Sequence, residues 1–80
     1  MTRNEWEKLI EDGRDIMFDV QGKHFIILTW FDDGIYISER DPVEDQGMCF
    51  PTAAALLNEY RIDGVPLGNL SAEIRIIDYS

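Results

Sequence analysis

Residues Asp15–Arg40 read DIMFDVQGKHFIILTWFDDGIYISER, three apolar runs parted by two turn signals, and this stretch decides the fold. Gln21-Gly22 is a two-residue hairpin loop, since Gly accepts the positive φ that a primed turn demands. The turn sets Phe18 opposite Phe25, Ile16 opposite Ile27 and Asp19 opposite His24, and period-two alternation then gathers the first four with Val20 on one core face. Asp32-Asp33-Gly34 fits a three-residue loop with Gly in the left-handed position, which pairs Phe31 with Ile35 and keeps Ile37 on the core side.

The other face of this meander carries Met17, Asp19, His24, Ile26, Leu28, Trp30, Tyr36 and Ser38. That set is too apolar for a face that meets only water. Two readings follow: a helix or the chain ends cover it, or it presents a mixed aromatic patch to a partner.

Outside the meander, Thr2-Arg3-Asn4-Glu5 has the spacing of a capping box and opens a helix with Trp6, Leu9 and Ile10 on one side and a stop at Gly13. Beyond Ile37 the segment Glu39–Gly47 is polar, with Pro42 and Gly47, and reads as an exposed loop. Its acids suggest calcium, but Pro42 and Val43 interrupt the alternate oxygen ligands that an EF-hand loop needs. Met48-Cys49-Phe50 is long enough for a small edge strand. Thr52 caps a second helix with Ala53, Leu56, Leu57 and Tyr60 as its buried stripe, ended by Ile62-Asp63-Gly64. Val65–Leu70 then reads as a loop anchored by Leu67 and Leu70, and Ala72–Tyr79 as a last strand.

Eighty residues make a single domain, 1–80, with 45% hydrophobic residues, too many for a disordered chain. Sixteen acidic against seven basic residues give a formal charge of -9. That balance argues against direct binding to nucleic acid or an anionic membrane, where Lys and Arg must neutralise phosphate. It permits competition with nucleic acid for a basic protein surface, and in the simplest case it maintains solubility. No apolar run is long enough to span a bilayer, and the first residues lack the apolar core of a signal peptide, so a cytoplasmic location is expected.

The chemistry on offer is thin. His24 and Cys49 are the single residues of their kinds. A nucleophilic site would need them together with an acid such as Asp19. The simpler readings are a cross-strand contact for Asp19 and His24 and a small buried hydrophobe for Cys49. One His and one Cys do not build a structural zinc site, and Gly64 and Gly68 do not lead from a strand into a Lys-bearing helix as a phosphate loop requires. No catalytic residue, metal or cofactor is expected.

The order Trp6, Leu9-Ile10, Gly13, Phe18-Asp19-Val20-Gln21-Gly22-Lys23, then Gly34-Ile35-Tyr36-Ile37-Ser38-Glu39, Leu56-Leu57 and Ile62-Asp63-Gly64-Val65-Pro66-Leu67 resembles a group of short uncharacterised proteins of Gram-positive gut bacteria and their phages or mobile elements. In that group the hairpin usually reads Tyr-Asn-Gly-Lys, and an Asp-Gly segment follows the last helix. Here Val20-Gln21 stands in for Tyr-Asn. The resemblance covers most of the chain and implies the fold and a mobile-element origin, without a mechanism.

The expectation is therefore an α+β domain in the order α-β-β-β-α-β, its sheet mainly antiparallel with helices packed on it. Its function is expected to be non-catalytic binding of a protein partner, as an inhibitor or accessory factor. The candidate contact residues are Trp30, Tyr36, His24, Asp19, Asp32, Asp33, Glu44 and Asp45. A partner with a basic surface and a homodimer that buries the mixed face are both compatible with this. The alternatives are a nucleic-acid mimic that inhibits a nuclease, CRISPR or restriction complex, and a small enzyme using Cys49 and His24.

Overall fold

The hairpin forms in the register that alternation requires. In the computed structural model, which describes residues 1–31, 34–40 and 47–79 with Trp30 and Phe31 by backbone alone, β1 (Ile16–Val20) pairs antiparallel with β2 (Lys23–Phe31). Ile16 faces Ile27, Phe18 faces Phe25 and Asp19 faces His24. Gln21 and Gly22 take φ of 51° and 75°, a primed turn whose twist matches the flanking strands.

β3 (Gly34–Glu39) lies beside β2 in a register two residues away from the expected one. Ile37 pairs with Ile27, and Phe31 pairs with Gly34 instead of Ile35, with an irregularity between Leu28 and Phe31. An extra residue on β2 takes up the slack that the sequence reading assigned to the loop. A shift of two preserves the faces, so Ile37 remains in the core, fully buried. Asp32 and Asp33 lie outside the described residues. At Gly34 φ is +127°, and a Cβ there would run into the Phe50 carbonyl, so close approach of the next strand excludes any side chain.

β4 (Met48–Phe50) extends the sheet at the β3 edge and β7 (Arg75–Tyr79) at the β1 edge. The five-stranded order is β4-β3-β2-β1-β7, with every pairing antiparallel. Between β4 and β7 the chain crosses one face of the sheet as α2 (Ala53–Glu59), a small hairpin of β5 (Arg61–Ile62) and β6 (Val65–Pro66), and a 3₁₀ segment, Leu67–Glu73. The expected α-β-β-β-α-β skeleton is present. Three details differ: the second helix stops at Glu59, Asp63-Gly64 turns a hairpin, and the last strand begins at Arg75 because Leu67–Glu73 is helical.

α1 (Arg3–Glu11) starts at the capping box: Thr2 Oγ1 accepts from the Glu5 N–H at 3.2 Å, and Glu5 Oε1 accepts from the Thr2 N–H at 2.8 Å. These bonds favour the ionised carboxylate and hold Glu5 below its ordinary pKa. Gly13, with φ of 82°, ends the helix. Trp6 and Ile10 are fully buried. Trp6 meets Phe18 edge-on at 5.1 Å, Phe18 stacks on Phe25 at 5.4 Å, and Tyr60 packs edge-on to both Phe25 and Phe50. This line of rings ties α1 to the end of α2 across one face of the sheet. Ala53, Leu56, Leu57, Leu67 and Leu70 complete the core on that same face. No described helix is long and apolar enough to cross a membrane.

Candidate partner-binding face

Because both helices and the 3₁₀ segment pack on one side, no described element covers the other. Ladder register lays that open face out in rows. Cys49, Tyr36 and Leu28 sit side by side on β4, β3 and β2. Ser38, Ile26, Met17 and Asp78 form the next row, across β3, β2, β1 and β7. His24, Asp19 and Arg75 form the last, joined by Arg40, whose N–H donates to the His24 carbonyl at 2.8 Å and prolongs the ladder. Met17, Ile26, Leu28 and Tyr36 are half-buried and Ser38 is buried, so the centre is apolar. The expectation that a helix covers this face is not met among the described residues. The crossing from β4 to β7 can run over only one side, and it follows the side with Phe18, Phe25 and Ile27.

The polar end of the face is built around Asp19. His24 Nδ1 lies 2.6 Å from Asp19 Oδ1, and an Arg40 terminal nitrogen lies 3.7 Å from the same oxygen. The other terminal nitrogen of Arg40 donates to Met17 Sδ at 3.6 Å. Arg40 leaves β3 and reaches β1, so its side chain crosses β2 and screens part of the apolar centre from water. Its Nε is buried without a hydrogen-bond partner, a poorly satisfied position for a guanidinium. The sequence reading missed Arg40 because its β2–β3 register was two residues off, which placed position 40 away from His24. Parity alone would have put Arg40 on this face, two residues beyond Ser38.

The structure treats the expected site residues unequally. It brings Asp19, His24 and Tyr36 onto one face, with Asp19 and His24 in contact. The Tyr36 ring packs over Gly47, where a Cβ would overlap it. Of Trp30 only the backbone is described, and Asp32, Asp33, Glu44 and Asp45 lie outside the described residues, as does most of the polar loop whose calcium reading failed.

Cys49 is exposed, which corrects the expectation of a buried hydrophobe. A three-residue edge strand cannot bury both of its faces, and it is Phe50 that turns inward. Cys49 shares a row with Leu28, four residues along β2 from His24 and two strands away. The separation is about 13 Å along the strands and about 10 Å across them, so thiol and imidazole do not form a pair.

A shallow cleft of about 270 Å³ opens beside the hairpin tip, lined by Asp19, Val20, Gln21, Gly22, Glu73 and Arg75. Asp19, Glu73 and Arg75 are the charged residues of its lining. Among the described residues no group of three or more His, Cys, Asp or Glu side chains could hold a metal ion. The chain significantly matches no family model, no curated protein and no solved structure.

Proposed function

We propose that this domain is a non-catalytic binding protein that docks a protein partner on the open face of its sheet, as an inhibitor or accessory factor of the kind carried by phages and mobile elements. The observation that carries the reading is the half-buried apolar patch that Met17, Ile26 and Leu28 make beside Tyr36 over two neighbouring rows, on a face that no described element covers. Aliphatic and aromatic side chains of this kind supply the energy at the centre of interfaces, and Asp19, His24, Arg40 and Arg75 form a polar rim at one end. Arg40 joins the two parts, one terminal nitrogen reaching Asp19 at the rim and the other donating to Met17 Sδ in the apolar centre.

The ladder positions of this face carry two carboxylates, Asp19 and Asp78, against two guanidiniums, Arg40 and Arg75. That balance is unlike a row of phosphates. The net charge of -9 therefore serves solubility on this reading, and phosphate mimicry would have to use acids elsewhere on the chain.

Affinity capture from host lysate, run at low and high salt with the wild type and with Ile26→Lys and Leu28→Lys, tests the proposal. The expected result is a partner retained at high salt by the wild type and lost from both variants, with each variant's circular dichroism unchanged. A partner that the variants keep and that salt removes would replace this reading with phosphate mimicry.

A further inference from the structure

The guanidiniums of the chain are not equally occupied. Arg3 donates to Asn58 Oδ1 at 2.6 Å, Arg61 donates to the Gly64 carbonyl at 3.1 Å, and Arg14 lies 3.8 Å from Asp12 Oδ2 with its guanidinium over the Tyr79 ring. Arg75 is exposed on β7, across the ladder from Asp19. Among the described residues no group lies within hydrogen-bond or ion-pair distance of its guanidinium. Arg40 has contacts, but poor ones: a thioether at 3.6 Å and Asp19 Oδ1 at 3.7 Å, with Nε buried and unbonded. That Asp19 oxygen is already engaged by His24 at 2.6 Å.

The row that runs from Arg40 through His24 and Asp19 to Arg75 therefore holds more N–H donors than acceptors, two guanidiniums facing one carboxylate. On the reading that a protein partner docks on the open face, we propose that the partner brings a carboxylate to this end, an Asp or Glu side chain bound between Arg75 and Arg40. The cleft of about 270 Å³ that Arg75 and Asp19 line beside the hairpin tip gives it room. A carboxylate carries one charge and two acceptor oxygens at the spacing a guanidinium fork accepts. A phosphate dianion fits less well, because Asp19 stands between the guanidiniums and Glu73 lines the same cleft. Asp78, in the next row, has interactions of its own and takes no part.

Ladder spacing fixes a second requirement. The apolar centre at Ile26 and Met17 lies two residues along the strands from His24 and Asp19, about 7 Å away. The partner must therefore carry an apolar side chain at that distance from its acid, the separation of residues i and i+2 in an extended segment. The formal charge of -9 repels an acidic partner from afar. Screening over about 8 Å at physiological salt removes most of that repulsion and leaves the contact pairs to decide.

Nuclear magnetic resonance on the full chain tests this with two capped tripeptides, acetyl-Leu-Thr-Glu-amide and acetyl-Leu-Thr-Gln-amide. The Nε–H signals of Arg75 and Arg40 are expected to shift saturably with the Glu peptide at millimolar to tens-of-millimolar concentrations. The Gln peptide should bind about three- to fivefold more weakly. Arg75→Gln and Arg40→Gln should each erase most of that preference, with circular dichroism melts separating loss of binding from loss of fold. Equal affinity for the two peptides, or no response from either arginine, overturns the proposal. So does inorganic phosphate that displaces the Glu peptide at lower concentration than acetate does. Equal shifts at Ile26 and Leu28 with both peptides would remove the acid from the partner and leave docking on this face standing. Failure of the docking itself would show separately, as an Ile26→Lys chain that binds the Glu peptide as well as the wild type does.

Discussion

The two faces of one sheet share strands and backbone, and neighbouring residues separate them. On the covered side Phe18, Phe25, Ile27 and Ile37 are buried under α1, α2 and the 3₁₀ segment, while on the open side Met17, Ile26 and Tyr36, one residue away in sequence, are only half-buried. The covered face holds the core, whereas no described element packs on the open one. Hydrophobicity alone does not tell the two apart, since Ile26 and Ile27 are the same residue type. What differs is that the described helices and the 3₁₀ segment return over only one side.

Adjacent substitutions should break the symmetry most clearly. Phe18→Ala is expected to cost about 3–5 kcal/mol in urea unfolding, because it removes a ring packed between Trp6 and Phe25 and leaves a cavity. Met17→Ala should cost under about 1 kcal/mol, since a half-buried side chain with no described element above it leaves no enclosed void. Equal costs would mean that both faces are covered.

Gly34→Ala should come next, at about 2–3 kcal/mol, from a disfavoured φ combined with the collision against the Phe50 carbonyl. If β4 merely rests on the sheet edge, the cost will be much smaller and β4 will move aside.

Thr29 sharpens the contrast from the opposite direction. Its Oγ1 is buried without a partner near the end of α1, so Thr29→Val should stabilise the protein by about 1 kcal/mol by removing an unsatisfied hydroxyl at constant shape. A loss of stability instead would show that the hydroxyl is hydrogen-bonded in solution.

The smallest effects are the pH slopes at the two ends of α1. Tyr79 O–H donates to Asp12 Oδ2 at 2.7 Å, and this bond, first among the causes, raises the phenol above its ordinary 10.0. A raised folded-state pKa adds stability that is complete below the ordinary value and is lost as pH climbs through the raised one. Tyr79→Phe should flatten that alkaline slope in urea midpoints. Glu5 has the opposite sign: its lowered pKa adds stability above the ordinary 4.5 that is lost as pH falls through the depressed value. Thr2→Ala should remove this acid slope and cost about 1 kcal/mol near neutrality.

The features legible in advance were local ones. A positive-φ turn at Gln21-Gly22 forces the first register, and alternation then assigns each side chain to a face. The capping box starts α1 wherever the helix later docks. The β2–β3 register was misread because a bulge and a loop can absorb the same extra residue, and only packing distinguishes them. Cys49 was misread because a run of three residues does not say which of them turns inward. Asp19 opposite His24 followed from the first hairpin, whereas Arg40 needed the second register to be found.

The sequence by itself determined which residues share a face in the first hairpin, because period two and turn chemistry act over a few bonds, while the bulge that sets Arg75 and Asp78 on one face of β7 goes against that period. Only the tertiary structure decided which edge β7 would take and which face the crossing chain would cover. Those choices compare the burial of whole surfaces by segments some fifty residues apart in the chain, from Phe18 to Leu70, and no local pattern encodes the outcome.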